Sequence, residues 1–333
     1  MRAKFSKSNI ILVSSSPSLE SFSSAKNKTF LTYELKNRFQ KYDLPKILVI
    51  NMKNKENYGK GLSIISRKLV EEIEINLNNN KQVLLLYNKA GEKIQKIEGI
   101  LKNLFSNFTI SRYDRDSIKG ESYYKLLENF HNNKINILLG TQMIAKGIDF
   151  KNVSLVGILN ADFGISSPDF RSDEKLFQLA YQFIGRAGRH SNSSKAIIQS
   201  FNTDSIYIKN IYEYNIDNFY NYILKDRKSL FYPPFSRIIR IIVSSTNQKQ
   251  AEKKSEILYD LFDKNNNLQV LGPSEAPINE INNQFRYHLL IKMKKNYWIK
   301  LFDWVEKEIG LSIFENNSNN LKIKLDVDPI FFL

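Results

Sequence analysis

In the segment Tyr181-Gln-Phe-Ile-Gly-Arg-Ala-Gly-Arg189, the spacing from Gln182 to Arg186 to Arg189 is four residues and then three. On a helix those spacings put an amide and two guanidiniums on one face. Guanidiniums fork onto phosphate oxygens and neutralise the charge that develops in phosphoryl transfer. Gly185 and Gly188 would each cost roughly 1 kcal/mol in a helix interior. Such residues fit where the backbone must pass close to something. A plainer role also fits, a helix C-terminus whose arginines complement the dipole and whose glycines cap it.

A second segment, Gly140-Thr-Gln-Met-Ile-Ala-Lys-Gly-Ile-Asp-Phe150, follows an apolar run. Thr141 and Gln142 fall at the carboxyl end of that run, where hydroxyl, amide and backbone N–H groups can hold a nucleic-acid phosphate. Gly147 permits a turn, and Asp149 can reach a nucleotide ribose or pair with an arginine. An ordinary strand-to-helix turn capped by Thr141 also fits. Asp162-Phe-Gly164 spells the magnesium motif of kinases, but neither a kinase catalytic loop nor a glycine-rich loop accompanies it. We read it as a loop at a strand end. Tyr123-Tyr124, Phe219–Tyr222 and Tyr297-Trp298 can stack bases, although aromatic residues at helical spacing commonly serve the core.

Positioning these groups falls to an alternation of short apolar runs and amphipathic stretches. Strands are expected over residues 8–13, 46–51, 82–87, 110–113, 135–139, 153–159 and 196–201. Helices are expected over 63–77, 92–105, 123–130 and 174–184. Continuous apolar strands alternating with helices specify an α/β fold with a parallel sheet covered on both faces, and ligands in such sheets sit at the carboxyl ends of the strands. After about residue 203 the pattern changes. A helix over 217–230 runs into Tyr232-Pro-Pro-Phe235, where the prolines end it. Strands at 237–244, 268–271, 287–293 and 321–327 with helices at 248–262 and 297–309 give β-α-β-β-α-β, a small ferredoxin-like sandwich.

With 333 residues, the chain is long enough for two cores. It carries 49 Lys and Arg against 34 Asp and Glu, a net charge of +15 that suits a polyanionic partner. Over-use of Asn, Lys and Ile, as in an AT-rich coding sequence, raises Lys by itself. The absence of cysteine excludes disulfides and thiolate metal sites. Three histidines far apart in sequence, His131, His190 and His288, argue against a zinc centre. The opening residues end in the apolar run Asn9-Ile-Ile-Leu-Val13, shorter than the roughly 7–15 residues of a signal-peptide core. It reads as a buried strand of a cytoplasmic protein.

Taken together, the segments at 140–150 and 181–189 match, in order and spacing, the fifth and sixth motifs of superfamily 2 helicases. Over nearly its whole length the chain resembles the primosomal protein N′ (PriA) family of replication-restart helicases. Ser14-Ser-Ser-Pro-Ser-Leu-Glu20 is similar to that family's Ser-Ala-Thr-Pro-Ala-Leu-Glu third motif. Residues 82–91 resemble its fourth-motif strand, and Ile110-Ser-Arg-Tyr-Asp-Arg-Asp116 is nearly its pattern. Asp169-Phe-Arg-Ser172, Leu271-Gly-Pro273 and Leu325-Asp-Val-Asp-Pro-Ile330 also match.

The resemblance implies a RecA-like second helicase lobe over residues 46–203, a remnant of the first lobe over 1–45, and a C-terminal α/β domain over 204–333. It further implies ATP- and Mg²⁺-dependent 3′-to-5′ DNA unwinding at stalled forks, with loading of the replicative helicase. Gln182, Arg186 and Arg189 would then face the ATP phosphates, with Gly147, Asp149 and Gly185 near the nucleotide. Thr141, Gln142 and Arg115 would face the DNA backbone. Departures limit this expectation. The chain contains no Gly-x-x-x-x-Gly-Lys-Ser/Thr and no Asp-Glu-x-His; Asp173-Glu174 is followed by Lys175-Leu176. The family's cysteine-rich zinc insertion is absent near Gly91. ATP and Mg²⁺ are therefore expected only alongside a separately supplied first-lobe polypeptide. Zinc and a membrane are not expected, and replication-restart proteins are expected partners. A non-catalytic DNA-binding assembly factor and a truncated inactive gene product remain the alternatives.

Overall fold

A computed structural model describes residues 6–35, 42–58, 64–87, 92–114, 122–145, 150–162, 169–188, 193–314 and 320–330. The chain divides into two compact units. One comprises Met1–Ser18, Ala25–Ser166 and Ser172–Tyr220; the other comprises Leu19–Ser24, Ser167–Arg171 and Asn221–Leu333.

The first unit is built on a six-stranded, all-parallel sheet. Its strands are β1 (Lys46–Asn51), β2 (Gln82–Leu86), β3 (Ile110–Tyr113), β4 (Ile137–Gly140), β5 (Val153–Ile158) and β6 (Lys195–Ser200), in the order β1-β6-β5-β2-β4-β3. The central strand β2, Gln-Val-Leu-Leu-Leu, is buried along its whole length. That explains its unbroken apolar run, because helices cover both faces of a parallel sheet. On one face Val83 and Leu85 pack with Leu69, Ile73 and Leu77 of α2 (Arg67–Asn78) and with Ile97 and Leu101 of α3 (Glu92–Leu104). The alternate residues Leu84, Leu138 and Val156 are also fully buried, so the other face is covered too. Helix α2 starts where Ser66 Oγ accepts from the backbone N–H of Leu69 at 3.2 Å, and its apolar residues recur every fourth position.

Helix α4 (Ser122–His131) precedes β4, and α5 (Ser172–Ile184) follows β5. Two further helices, α6 (Ile206–Tyr212) and α7 (Ile216–Ser229), follow β6. Phe177 of α5 stacks on Phe219 of α7 with centroids 4.1 Å apart, and meets Tyr207 of α6 edge-on at 6.4 Å. Those rings carry the first unit on to Tyr220, past the change in pattern near residue 203.

The expected strand over residues 8–13 does not form. Residues 8–14 have no regular structure, and Ile11 and Val13 are 85% and 87% exposed. An apolar run becomes a parallel strand only where a neighbour takes up its backbone N–H and C=O groups. None of the six strands does so. The segment turns instead into a short helix, α1 (Leu19–Lys26).

The second unit carries the expected sandwich. Strands β7 (Ser236–Ser245), β8 (Leu268–Ile281), β9 (Gln284–Lys294) and β10 (Leu321–Val327) pair antiparallel in the order β10-β7-β9-β8. Ala251, Leu258 and Phe262 of α8 (Gln248–Asp263) and Leu301 of α9 (Trp298–Trp304) close the core against Ile241, Leu289 and Ile291. Strand β8 is longer than expected. It runs through Gly272-Pro273 because shifts in register at residues 271–274 and 275–280 absorb residues that cannot follow the ladder.

Candidate functional site

Strands β2, β4, β5 and β6 of the first unit end on one side of the sheet. Thr141 follows β4 there, its N–H donating to Tyr113 O at 3.3 Å and its carbonyl accepting from Ile144 N at 3.1 Å. The turn of 3-10 helix Gln142–Ala145 comes next, with Gln142 exposed and Ile144 and Ala145 buried. Gly140 is required for this tight exit, since a Cβ there would lie 2.9 Å from Tyr113 O and 3.1 Å from Ile144 Cβ.

Helix α5 stops at Ile184, and residues 185–188 continue as tight turns, with Arg186 N donating to Phe183 O and Ala187 N to Ile184 O. The helical face expected for Gln182 and Arg186 is therefore broken between them. Gln182 Nε2 donates to Ser16 Oγ at 2.8 Å, and Ser16 is buried. Arg186 turns inward, 8% exposed, and its Nη2 donates to Ala145 O at 2.6 Å. The segment 181–188 thus touches both the Ser14–Glu20 stretch and the Gly140–Ala145 turn. Three segments far apart in sequence meet at one place, and two of the contacts come from side chains singled out by spacing alone.

One turn before Gln182, Gln178 Nε2 donates to Pro17 O at 2.9 Å, and the buried Tyr220 donates its hydroxyl to the same carbonyl at 2.6 Å. This two-fold grip on Pro17 was missed by reading the sequence. Gln178 lies four residues before Gln182 on the same helix face, which was the available signal.

Asp162 of the kinase-like triplet accepts from Ser200 Oγ at 2.7 Å and from the backbone N–H of Phe201. It fastens the end of β6 to the loop after β5, in keeping with a strand-end loop. Burial, then the charges of Asp162 and Asp173, raises the Tyr207 hydroxyl well above its ordinary range. Asp114 is buried and pairs with Arg112 at 3.2 Å. Phe219 and Tyr220, candidates for base stacking, are fully buried in the aromatic core. Arg189, Gly147, Asp149 and Arg115 lie outside the described residues. Among the described residues, no helix is long and apolar enough to cross a membrane.

Residues 65–191 match the family Helicase conserved C-terminal domain, and residues 228–330 match the family Primosomal protein N C-terminal domain. The replication restart protein PriA of Borreliella burgdorferi is 30% identical over 99% of this chain and 57% of its own length. Those of Rickettsia felis and Bacillus subtilis are 29% and 28% identical over the whole chain, covering 59% and 49% of their own lengths. The chain thus spans about half to three fifths of the length of these three relatives. The first alignment extends over 396 positions against 333 residues here, so that relative carries internal residues without a counterpart in this chain. Among solved structures, the C-terminal domain of the DEAD-box protein Dbp5 is loosely similar, at 18% identity and a TM-score of 0.36 over 53% of this chain and 87% of that one. The two family matches and the chain-long likeness support reading the chain as the counterpart of the C-terminal part of PriA replication restart proteins.

Proposed function

We propose that the chain supplies the second motor lobe and C-terminal domain of an ATP-dependent, 3′-to-5′ DNA helicase of replication restart, and that it hydrolyses ATP only with a first lobe supplied by other residues. In this reading Gln182, Arg186 and Arg189 serve the ATP phosphates, with Gly147, Asp149 and Gly185 beside the nucleotide. Thr141, Gln142 and Arg115 serve the DNA backbone, Mg²⁺ accompanies the ATP, and zinc has no place. The observation that carries it is the meeting of Ser16, the Gly140–Ala145 turn and the Gln182–Arg186 segment on the ligand-binding side of a parallel sheet. Arg186 would leave Ala145 O and turn its fork onto a phosphate once ATP is clamped.

Support for a missing complement comes from the bare apolar residues Ile10–Val13, and from Leu31, Tyr33 and Leu35, each about nine-tenths exposed. Large exposed apolar stretches mark surfaces that something covers, and alternate apolar residues suit a strand. The test is DNA-stimulated ATPase, measured on the purified chain and on the chain mixed with a polypeptide carrying Gly-x-x-x-x-Gly-Lys-Ser/Thr and Asp-Glu-x-His. Hydrolysis in the mixture alone, lost in Arg186→Ala, is the expected result. Robust hydrolysis by the chain alone overturns the proposal.

One observation favours a second reading. The Arg186 guanidinium is held inside the lobe on a backbone carbonyl, which suits a scaffold that binds DNA and assembles other proteins without catalysis. Arg186→Ala with unchanged restart activity would select that reading.

A further inference from the structure

We infer that a pocket of about 380 Å³ in the second unit, formed around Arg171, Arg237 and Lys295 with the carboxylates of Glu20 and Asp328, binds a phosphate of single-stranded DNA. This rests on the reading of DNA as partner but on none of the residues assigned above.

The two guanidiniums are fixed before any ligand arrives. Arg171 lies over the Phe170 ring at 4.4 Å and donates Nη1 to Pro329 O at 2.5 Å. Phe170 is stacked on Tyr232, with centroids 4.5 Å apart and planes at 12°, and the Lys292 ammonium sits 3.6 Å from the Tyr232 centroid. Arg237 lies over the Trp298 ring at 4.2 Å and pairs with Asp328. A planar guanidinium seated on an aromatic face loses little freedom when it forks onto an oxyanion.

The carboxylates that answer these arginines are held unequally. Glu20 is shared between Arg171 at 3.4 Å and Arg227 at 3.3 Å, both long contacts, and its side chain is 35% exposed. Asp328 is held more firmly: its Oδ2 accepts from Arg237 Nε at 3.0 Å and from Arg237 Nη2, and its Oδ1 accepts from Ile238 N at 3.3 Å. An incoming phosphate therefore competes with Glu20 for Arg171 and adds to the Arg237–Asp328 pair rather than replacing it. Lys295 is exposed and makes no ion pair among the described residues. The pocket thus presents three cations to two carboxylates, with the Ser24 side chain on its wall. That balance rejects a divalent cation and attracts an anion. The volume lies near the lower end of ligand pockets, enough for one phosphate and its sugar. A flexible strand can lay a phosphate into such a hollow, whereas the broad convex backbone of a duplex cannot.

Free phosphate and nucleotides share this chemistry, so the test separates the sources. Binding of a fluorescent oligothymidylate to the full chain is followed by anisotropy across a salt series, alongside Trp298 emission during titration with inorganic phosphate and with ADP. Lys295→Glu is expected to weaken oligothymidylate binding about fivefold or more at low salt. It should also make the slope of log K against log salt shallower by about 0.7, one single-strand phosphate contact. Lys295→Arg should keep both, and circular dichroism should show all three proteins equally folded. Unchanged affinity and slope in Lys295→Glu overturns the pocket assignment while leaving the motor reading intact. Unchanged oligothymidylate binding, with a phosphate or ADP response lost in Lys295→Glu, assigns the pocket to a free anion and overturns the nucleic-acid claim. No binding of oligothymidylate by the wild-type chain removes both readings.

Discussion

Gly185 and Gly188 are three residues apart and answer to different physics. At Gly188 φ is +69°, and a Cβ would lie 2.2 Å from Ser194 Oγ. At Gly185 the nearest atoms to an added Cβ are carbonyl oxygens of the preceding turn at 3.5 Å, ordinary contact. Gly188→Ala should therefore lower stability by about 1–3 kcal/mol, the usual scale of a left-handed non-glycine residue. Gly185→Ala should leave it unchanged or raise it by up to about 1 kcal/mol, by restricting the unfolded chain. Urea unfolding of both variants checks the contrast. If Gly185→Ala folds and still loses ATPase with a first lobe present, the close approach that its sequence suggests is to nucleotide. The close approach at Gly188 is to its own chain. Sequence could name both glycines but not separate them, because the partner of Gly188 lies beyond the residues that form the motif. His288 on β9 is a second residue-scale case. Burial, then the charges of Arg240 and Arg286, hold its imidazole below the ordinary histidine value of 6.5. It is neutral when folded, whereas the unfolded chain takes up a proton below about 6.5. Its contribution is therefore full above that pH and declines as pH falls from it towards the folded value. The urea midpoint of the second unit should drop between pH 7.5 and 5.5, and less steeply in His288→Gln.

Elements were legible where burial made their sequence monotonous. Strands β2, β4 and β5 are apolar runs buried on both faces, and their type and order followed from that. Elements held by polar ties were harder to read. Gln199 of β6 is fully buried; its Oε1 accepts from Ser66 N at 2.8 Å, and its Nε2 donates to Ile64 O and Leu159 O. It joins the start of α2 to the ends of two strands, a role that no periodicity announces. Gln199→Leu would leave those three groups without their partner in the interior and should lower stability by about 3 kcal/mol or more, at roughly 1–3 kcal/mol for each buried group left unsatisfied. A urea midpoint unmoved in this variant would mean that water replaces the amide. Helix α6 does not stand out in the sequence, although Ser205 caps it through the N–H of Ile208. It is only seven residues long, too short for a period to stand out. The broken face after Ile184 was likewise hidden, since the glycines that end α5 also fit a helix in close approach.

At the scale of the whole molecule, the failed strand over residues 8–13 gives the most information. Its residues have the right chemistry for a sheet interior, and what they lack is a neighbouring strand. Bare valine, isoleucine and tyrosine contribute nothing to the folded state of the chain as it stands, so changing them should scarcely alter its stability. Surface substitutions away from packed features usually stay within about ±0.5 kcal/mol. The same positions should matter greatly once a first lobe docks, because an inserted charge would then be buried against apolar partners without a counter-ion. Val13→Lys combined with Tyr33→Lys is therefore expected to leave the urea midpoint of the chain within that margin while abolishing DNA-stimulated ATPase in the mixture with a first-lobe polypeptide. Arg186→Ala should abolish it too, but without weakening association of the two polypeptides in a sedimentation assay, because Arg186 contacts Ala145 of its own lobe rather than the bare segments. Loss of association in the lysine double variant, with association kept in Arg186→Ala, would separate docking from chemistry. Full ATPase from the double variant would mean that these apolar segments serve some other surface, and the proposed complement would have to dock elsewhere.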